Sequence, residues 1–167
     1  DWSAQSAPYL DRSPTEHGFV SIWPETAPSG DAAVGLAWLD GRHMVLDPAR
    51  GHDDPRTTLR SATVTPDGSH LSAVVVDDRV CDCCPTSVAH TPSGTFVAYR
   101  DRTPDEIRDI HVARRQQGRW QSLGPVAAEG WHITGCPVNG PALAAGGDTL
   151  AIAWYTEAGG QRRVRSA

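Results

Sequence analysis

The stretch Leu36-Ala37-Trp38-Leu39-Asp40 returns as Val97-Ala98-Tyr99-Arg100-Asp101 and again as Ile152-Ala153-Trp154-Tyr155-Thr156. Each copy sets an aliphatic residue, an alanine and an aromatic ahead of a polar exit. The anchors Trp38, Tyr99 and Trp154 stand 61 and 55 residues apart. A repeat of that length, built of short strands, is the pattern of a β-propeller blade. The copies are apolar on both faces rather than alternating, as a strand covered on both sides demands.

The flanking sequence agrees. Helical periodicity is scarce, because Gly (16) and Pro (13) interrupt nearly every window. Short apolar runs bounded by turn formers recur instead. Strands are expected over 16–22, 33–42, 57–65 and 70–76, with an Asp40-Gly41 turn and a hairpin at Pro66-Asp67-Gly68-Ser69. A second set is expected over 86–91, 95–101 and 107–115, followed by a strand after Gly118-Arg119-Trp120-Gln121. A third set covers 141–145, 149–156 and 162–166. The expected fold is all-β, with blade-like units at about 14–80, 81–130 and 131–167, two nearly whole and most of a third. Propellers close at four to eight blades. Three would leave two apolar faces open, to be covered by the rest of a longer propeller or by another protein chain.

Several strings carry a resemblance: Glu-His-Gly-Phe (16–19), Trp-Leu-Asp-Gly-Arg (38–42), Cys-Asp-Cys-Cys-Pro-Thr (81–86), Tyr-Arg-Asp-Arg (99–102), Arg-Asp-Ile (108–110) and Gly-Cys-Pro-Val-Asn-Gly-Pro (135–141). Together they resemble bacterial exported proteins of the sialidase-like, BNR-repeat propeller superfamily. The resemblance spans nearly the whole chain and implies a six-bladed parent of which this is a central portion. The superfamily's Asp-box, S-x-D-x-G-x-T-W, is degenerate here. Thr65-Pro66-Asp67-Gly68 keeps Asp-Gly without the Trp, and Gln116-Gln117-Gly118-Arg119-Trp120 keeps Gly and Trp without the Asp. Sialidases of this type use an arginine triad, a Tyr–Glu pair and an acidic acid/base residue. The usual Arg-Ile-Pro string is absent, and none of Tyr9, Tyr99 and Tyr155 announces such a pair. The resemblance therefore implies the fold and not the catalysis.

Cys81, Cys83 and Cys84 fall within four positions, and Cys136 sits in a matching Cys-Pro context 52 residues after Cys84. Four cysteines allow three pairings. Cys81–Cys84 with Cys83–Cys136 is the least strained, since vicinal and one-residue bridges fit the preferred dihedral poorly. If the units correspond, a Cys84–Cys136 bridge between neighbouring inner strands is also easy to build, leaving Cys81 and Cys83 as thiols or as a strained pair. The alternative is a thiolate site for Zn or Cu, with His17, His132 and Met44 as candidate further ligands.

Arg100-Asp101-Arg102 ends one strand and Arg108-Asp109 opens the next. They are expected either to pair across strands or to present Arg100 or Arg108, with Asp101 or Asp109 beside it, to an anionic ligand such as a carboxylate. Trp131 either stacks on a sugar or fills a gap between blades. Asn139 lies in a turn where its amide can point inward. His17 is a structural histidine or a base oriented by Glu16. His52-Asp53-Asp54 reads as a solvated loop.

The net charge of −5 argues against a nucleic-acid partner, and no apolar run approaches the length of a membrane span. All 15 basic residues are Arg. The chain starts at Asp1 without Met, so it is read as a processed form or an excised piece, and the even cysteine count leans toward an exported protein. The expected role is that of a ligand-binding or protein-interaction module without catalysis, taking an anionic or carbohydrate ligand at a surface built from residues 81–86, Arg100, Arg108 and 136–139. The alternatives are a sialidase-type glycoside hydrolase and a scaffold subunit of a larger complex.

Overall fold

The computed structural model of the chain describes residues 5, 7–50, 53–69 and 73–167. Among these, eleven β-strands and two short 3-10 turns, Pro48–Arg50 and Ala158–Gly160, make up the regular structure. Strands β1 (His17–Thr26), β2 (Ala32–His43), β3 (Arg56–Val64) and β4 (Val74–Val80) form one antiparallel meander. Strands β5 (Ser87–Thr91), β6 (Gly94–Arg100), β7 (Ile110–Gln116) and β8 (Arg119–Pro125) form a second. Strands β9 (Ala142–Gly146), β10 (Thr149–Thr156) and β11 (Arg163–Ser166) form a third. Each sheet is open. The three repeated stretches all fall on the second strand of their sheet, β2, β6 and β10, and Trp38, Tyr99 and Trp154 are buried there.

The sheets stack face to face in chain order, β1 against β5, β5 against β9 and β4 against β8. Between the first and second sheets lies a core of Trp23, Ala37, Leu39, Leu59, Val80, Val97, Tyr99 and Ala113. Between the second and third lies another, of Ala98, Ile110, Ile152 and Trp154. Successive residues of β6 thus feed opposite cores, Val97 and Tyr99 one way and Ala98 the other, which is why this strand carries no alternation. Each large apolar side chain so buried contributes on the order of 1.5–3 kcal/mol. At the first interface Trp23 lies flat across Gly35, its register partner, where any Cβ would meet the indole at 2.0 Å. Trp120 packs edge-on against it at 5.9 Å, and Arg115 pairs with Glu25 across the gap. The far face of the first sheet is uncovered in part, with Val20, Ile22 and Val34 exposed.

Three expectations are corrected. The Asp40-Gly41 pair does not end its strand, because Gly41 donates its N–H to the Glu16 carbonyl and β2 runs on to His43 through a register shift. The turn comes one step later, where Met44 N–H bonds the Gly41 carbonyl. The strand expected from 107 begins at Ile110 instead, since Ile107 pairs with His132 and Asp109 turns its carboxylate to another loop. The return strand expected over 70–76 runs from Val74 to Val80, and residues 70–72 lie outside those described. The 66–69 hairpin is present, with Thr65 N–H bonded to the Ser69 carbonyl.

Candidate sulfur-centred site

The site is built where the chain crosses from the first sheet to the second. Val80 ends β4 and Cys81 donates its N–H to the Arg100 carbonyl, which fixes the loop to the end of β6. A turn at Asp82-Cys83 folds the chain back, so that the Cys81 and Cys84 sulfurs approach to 3.2 Å. Pro85 forces its predecessor to an extended backbone and carries the chain away from the turn. Thr86 then donates to the Phe19 carbonyl and meets the Ser21 hydroxyl, anchoring the exit to β1.

The second sulfur-bearing loop, 135–141, docks on the first. Gly140 lies so close that a Cβ would meet the Pro85 carbonyl oxygen at 2.0 Å, a fit only glycine allows. Cys136 forms a disulfide with Cys83, their Cα atoms 6.3 Å apart. Cys81 and Cys84 are free thiols and buried. The four sulfurs lie within 4.8 Å of one another. Of the pairings left open by the sequence, the Cys83–Cys136 bridge forms, its companion Cys81–Cys84 stays reduced, and the Cys84–Cys136 alternative is not made. Cys84 points into the core, whereas Cys83 lines a cavity of about 270 Å³ together with Glu16, Phe19, Met44, Thr57 and Asp82.

Two buried arginines frame this cluster. The Arg108 guanidinium donates to the Cys81 sulfur at 3.3 Å and to the Glu106 carboxylate at 2.7 Å, with Asp82 at 3.7 Å. The hydrogen bond from Cys84 lowers the Cys81 pKa well below the usual thiol range, against the effect of burial and with the help of Arg108. Cys84, as the donor partner, is pushed up. Arg100 is 1% exposed and donates to three carbonyls, those of Asn139 (3.0 and 2.8 Å), Arg108 (2.7 Å) and Tyr155 (2.9 Å). Its guanidinium lies over the Trp131 ring at 4.9 Å. Trp131 is buried, with Tyr155 at its edge 6.0 Å away. Arg100 is thus an interior clamp between the second and third sheets, and the Trp131 ring is covered by that clamp rather than open to a sugar.

The remaining candidates are dispersed. Asp109 accepts the N–H groups of Gly130 and Trp131, holding the loop that precedes the third sheet. Asp101 faces His111 at 3.6 Å and shares a cluster with Asp77, whose carboxylate accepts the Tyr99 hydroxyl at 2.7 Å. Burial raises the Asp101 carboxyl to about 6, against the attraction of His111 and with the repulsion of Asp77. The Asn139 side chain donates to the Pro137 carbonyl, so its backbone carbonyl, not its amide, faces inward. His17 stacks on Tyr9 at 4.5 Å and faces Asp11 (3.1 Å) and Asp40 (3.5 Å), away from the sulfurs. His132 is exposed and is not among the groups gathered with the cysteines. Of the proposed extra ligands only Met44 comes near, on the cavity wall beside Cys83. His52 lies outside the described residues, and Asp54 pairs with Arg79 and Arg56.

Sequence reasoning missed Glu106. It takes both Arg102 and Arg108, and those bonds, Arg102 foremost, hold its carboxyl down to about 2. The Arg-Asp strings suggested pairing within themselves. The signal overlooked was a Glu two residues before Arg108 at the end of the Thr103-Pro104-Asp105-Glu106 turn; in the structure Glu106 takes a φ of 60° there. No protein-family model, no curated protein and no solved structure matches the chain.

Proposed function

We propose that this chain is a portion of an exported propeller of sialidase-like type and acts as a non-catalytic binding module. Its binding centre is the sulfur pocket and its ligand a soft metal cation. One observation carries this reading: two buried free thiols and a disulfide share a volume 4.8 Å across, with a guanidinium on one of the sulfurs. Thiolates select Cu(I) and Zn among biological metals, and Arg108 and Arg100 offset the negative charge such a centre gathers. The same arginines are engaged with carbonyls, Glu106 and Cys81, which leaves them ill placed to take an anionic ligand. The disulfide suits an oxidising compartment. No helix among the described residues is long and apolar enough to cross a membrane.

The exposed Val20, Ile22 and Val34 face receives the preceding blade or a partner chain on this reading. Anaerobic titration with Cu(I) against a chromophoric chelator tests the centre. One equivalent is expected, lost in Cys81→Ser/Cys84→Ser, and no uptake by the folded protein refutes the reading.

A second reading, a sialidase-type hydrolase, is favoured by the Tyr155 hydroxyl bonded to Glu157. Among the described residues only Arg162 pairs with that carboxylate, at 3.4 Å, where the chemistry asks for three arginines in one cleft. Release of the fluorophore from a fluorogenic sialoside decides between the two.

A further inference from the structure

The four sulfurs are not equivalent. Cys81 and Cys84 are buried and reduced, whereas the bridge that joins Cys83 to Cys136 ends on an exposed residue. Solvent therefore reaches the bond more readily than the thiols. Zn in a protein asks for four donors in a tetrahedron at about 2.3 Å, which sets the sulfurs about 3.8 Å apart. Cys81 stands 3.8 Å from Cys83 and 3.2 Å from Cys84. Closed, the bridge removes two of these donors, and two thiolates are too few for Zn yet suit the softer Cu(I).

We propose, on the reading of the pocket as a soft-metal centre, that the Cys83–Cys136 disulfide sets the number of sulfur donors and so gates Zn(II): closed, the pocket takes Cu(I) and not Zn(II); open, it takes Zn(II) as well. Opening needs a dithiol reductant. One of its thiolates attacks the exposed Cys136 sulfur, forming a mixed disulfide and expelling the Cys83 thiolate. Its second thiol then displaces Cys136. Two electrons and two protons pass to the protein, and the reductant leaves as a disulfide. Zn(II) takes the four sulfurs as thiolates, with release of their protons.

The donors do not scatter when the bridge opens, because other contacts hold the two loops together. Arg100 grips the Asn139 carbonyl, Gly140 lies on Pro85, and Leu143 N–H bonds the Ser87 hydroxyl at 3.0 Å. Charge follows the same logic. Two thiolates with Cu(I) carry one net negative charge and four with Zn(II) carry two, against the two guanidiniums of Arg100 and Arg108.

The test compares the purified chain in its two redox states under anaerobic conditions, with thiols counted after denaturation and the fold followed by circular dichroism. Cu(I) is presented against bathocuproine disulfonate and Zn(II) against 4-(2-pyridylazo)resorcinol. The oxidised chain is expected to hold one Cu(I) and to leave Zn with the dye. The reduced, desalted chain is expected to take one Zn at least ~100-fold more tightly. Cys83→Ser/Cys136→Ser is expected to keep Cu(I) and to gain no Zn on reduction. Should that variant unfold, the two wild-type states still decide. Equal Zn binding in both states overturns the redox selection and leaves the soft-metal centre standing, whereas no retention of either metal in either state overturns both.

Discussion

Replacing Arg100 with Met keeps the apolar stem and deletes the guanidinium. Three interior carbonyls, of Arg108, Asn139 and Tyr155, then lose four hydrogen bonds of 2.7–3.0 Å. Each stranded acceptor costs about 1–3 kcal/mol. Part of this is offset, because a charge no longer has to be desolvated. Arg100 is 1% exposed, so little solvent relief is available. The net loss expected is about 3–5 kcal/mol, the range seen when one side of a buried charged contact is removed. With a urea slope near 2 kcal/mol/M for a domain of this size, the midpoint falls by about 1.5–2.5 M. Trp fluorescence reports the transition, since Trp131 sits under the guanidinium. Arg100→Lys should recover less than half, because a point charge cannot span three carbonyls. A midpoint shift under ~0.5 M in Arg100→Met refutes the reasoning, and Arg100 would then be free to serve a ligand.

Gly140→Ala should separate the two sulfur loops, because its Cβ has no room beside the Pro85 carbonyl; denatured thiol counts should rise from two to four, and an unchanged count contradicts the close approach. Breaking the Cys83–Cys136 bridge, which closes a loop with a sequence separation of 53, should lower stability by about 2–4 kcal/mol in urea, chiefly by freeing the unfolded chain, and no shift would mean that the bridge restrains the unfolded chain too little to matter. Asp101 titrates near 6 in the fold and at 3.8 unfolded. Between pH ~4 and ~6 the folded chain keeps a proton that the unfolded chain has lost, so stability falls as pH rises through that window and stays lower above it. Asp101→Asn should therefore equal wild type near pH 4 and exceed it above pH 6 by on the order of 1–3 kcal/mol, and parallel pH profiles would show that the carboxyl is not so placed.

The strands were legible because their signals are local. The Ala-aromatic stretches at 36–40, 97–101 and 152–156 each mark the second strand of a sheet, although only the one on β6 has a neighbouring sheet on both faces, and the Gly and Pro turns bound them. The meeting of the Cys81–Cys84 loop with Cys136 was legible too, because repetition puts equivalent loops at equivalent places. What escaped depends on side-chain direction at single positions. Whether Cys83 or Cys84 reaches Cys136 is decided by one turn at Asp82-Cys83, which no spacing encodes. Arg100 and Trp131 look like ligand groups in sequence, since exposed and buried arginines read alike. Only the carbonyls of Asn139 and Tyr155, far along the chain, reveal which this one is. Tyr99 and His111 face each other by register on β6 and β7, and Asp77 reaches them from β4 across the interface between the first two sheets.

β6 is flanked on both sides by other sheets, with Val97, Ala98 and Tyr99 fully shielded. Its amide protons should be the last to trade with deuterated solvent, released only when the whole molecule opens, while those of β11 and β1 at the two outer ends leave through smaller fluctuations. The chain thus carries a gradient of cohesion that runs outward from its middle, and whatever abuts its ends in the cell would steepen or flatten that gradient without touching a residue at its centre.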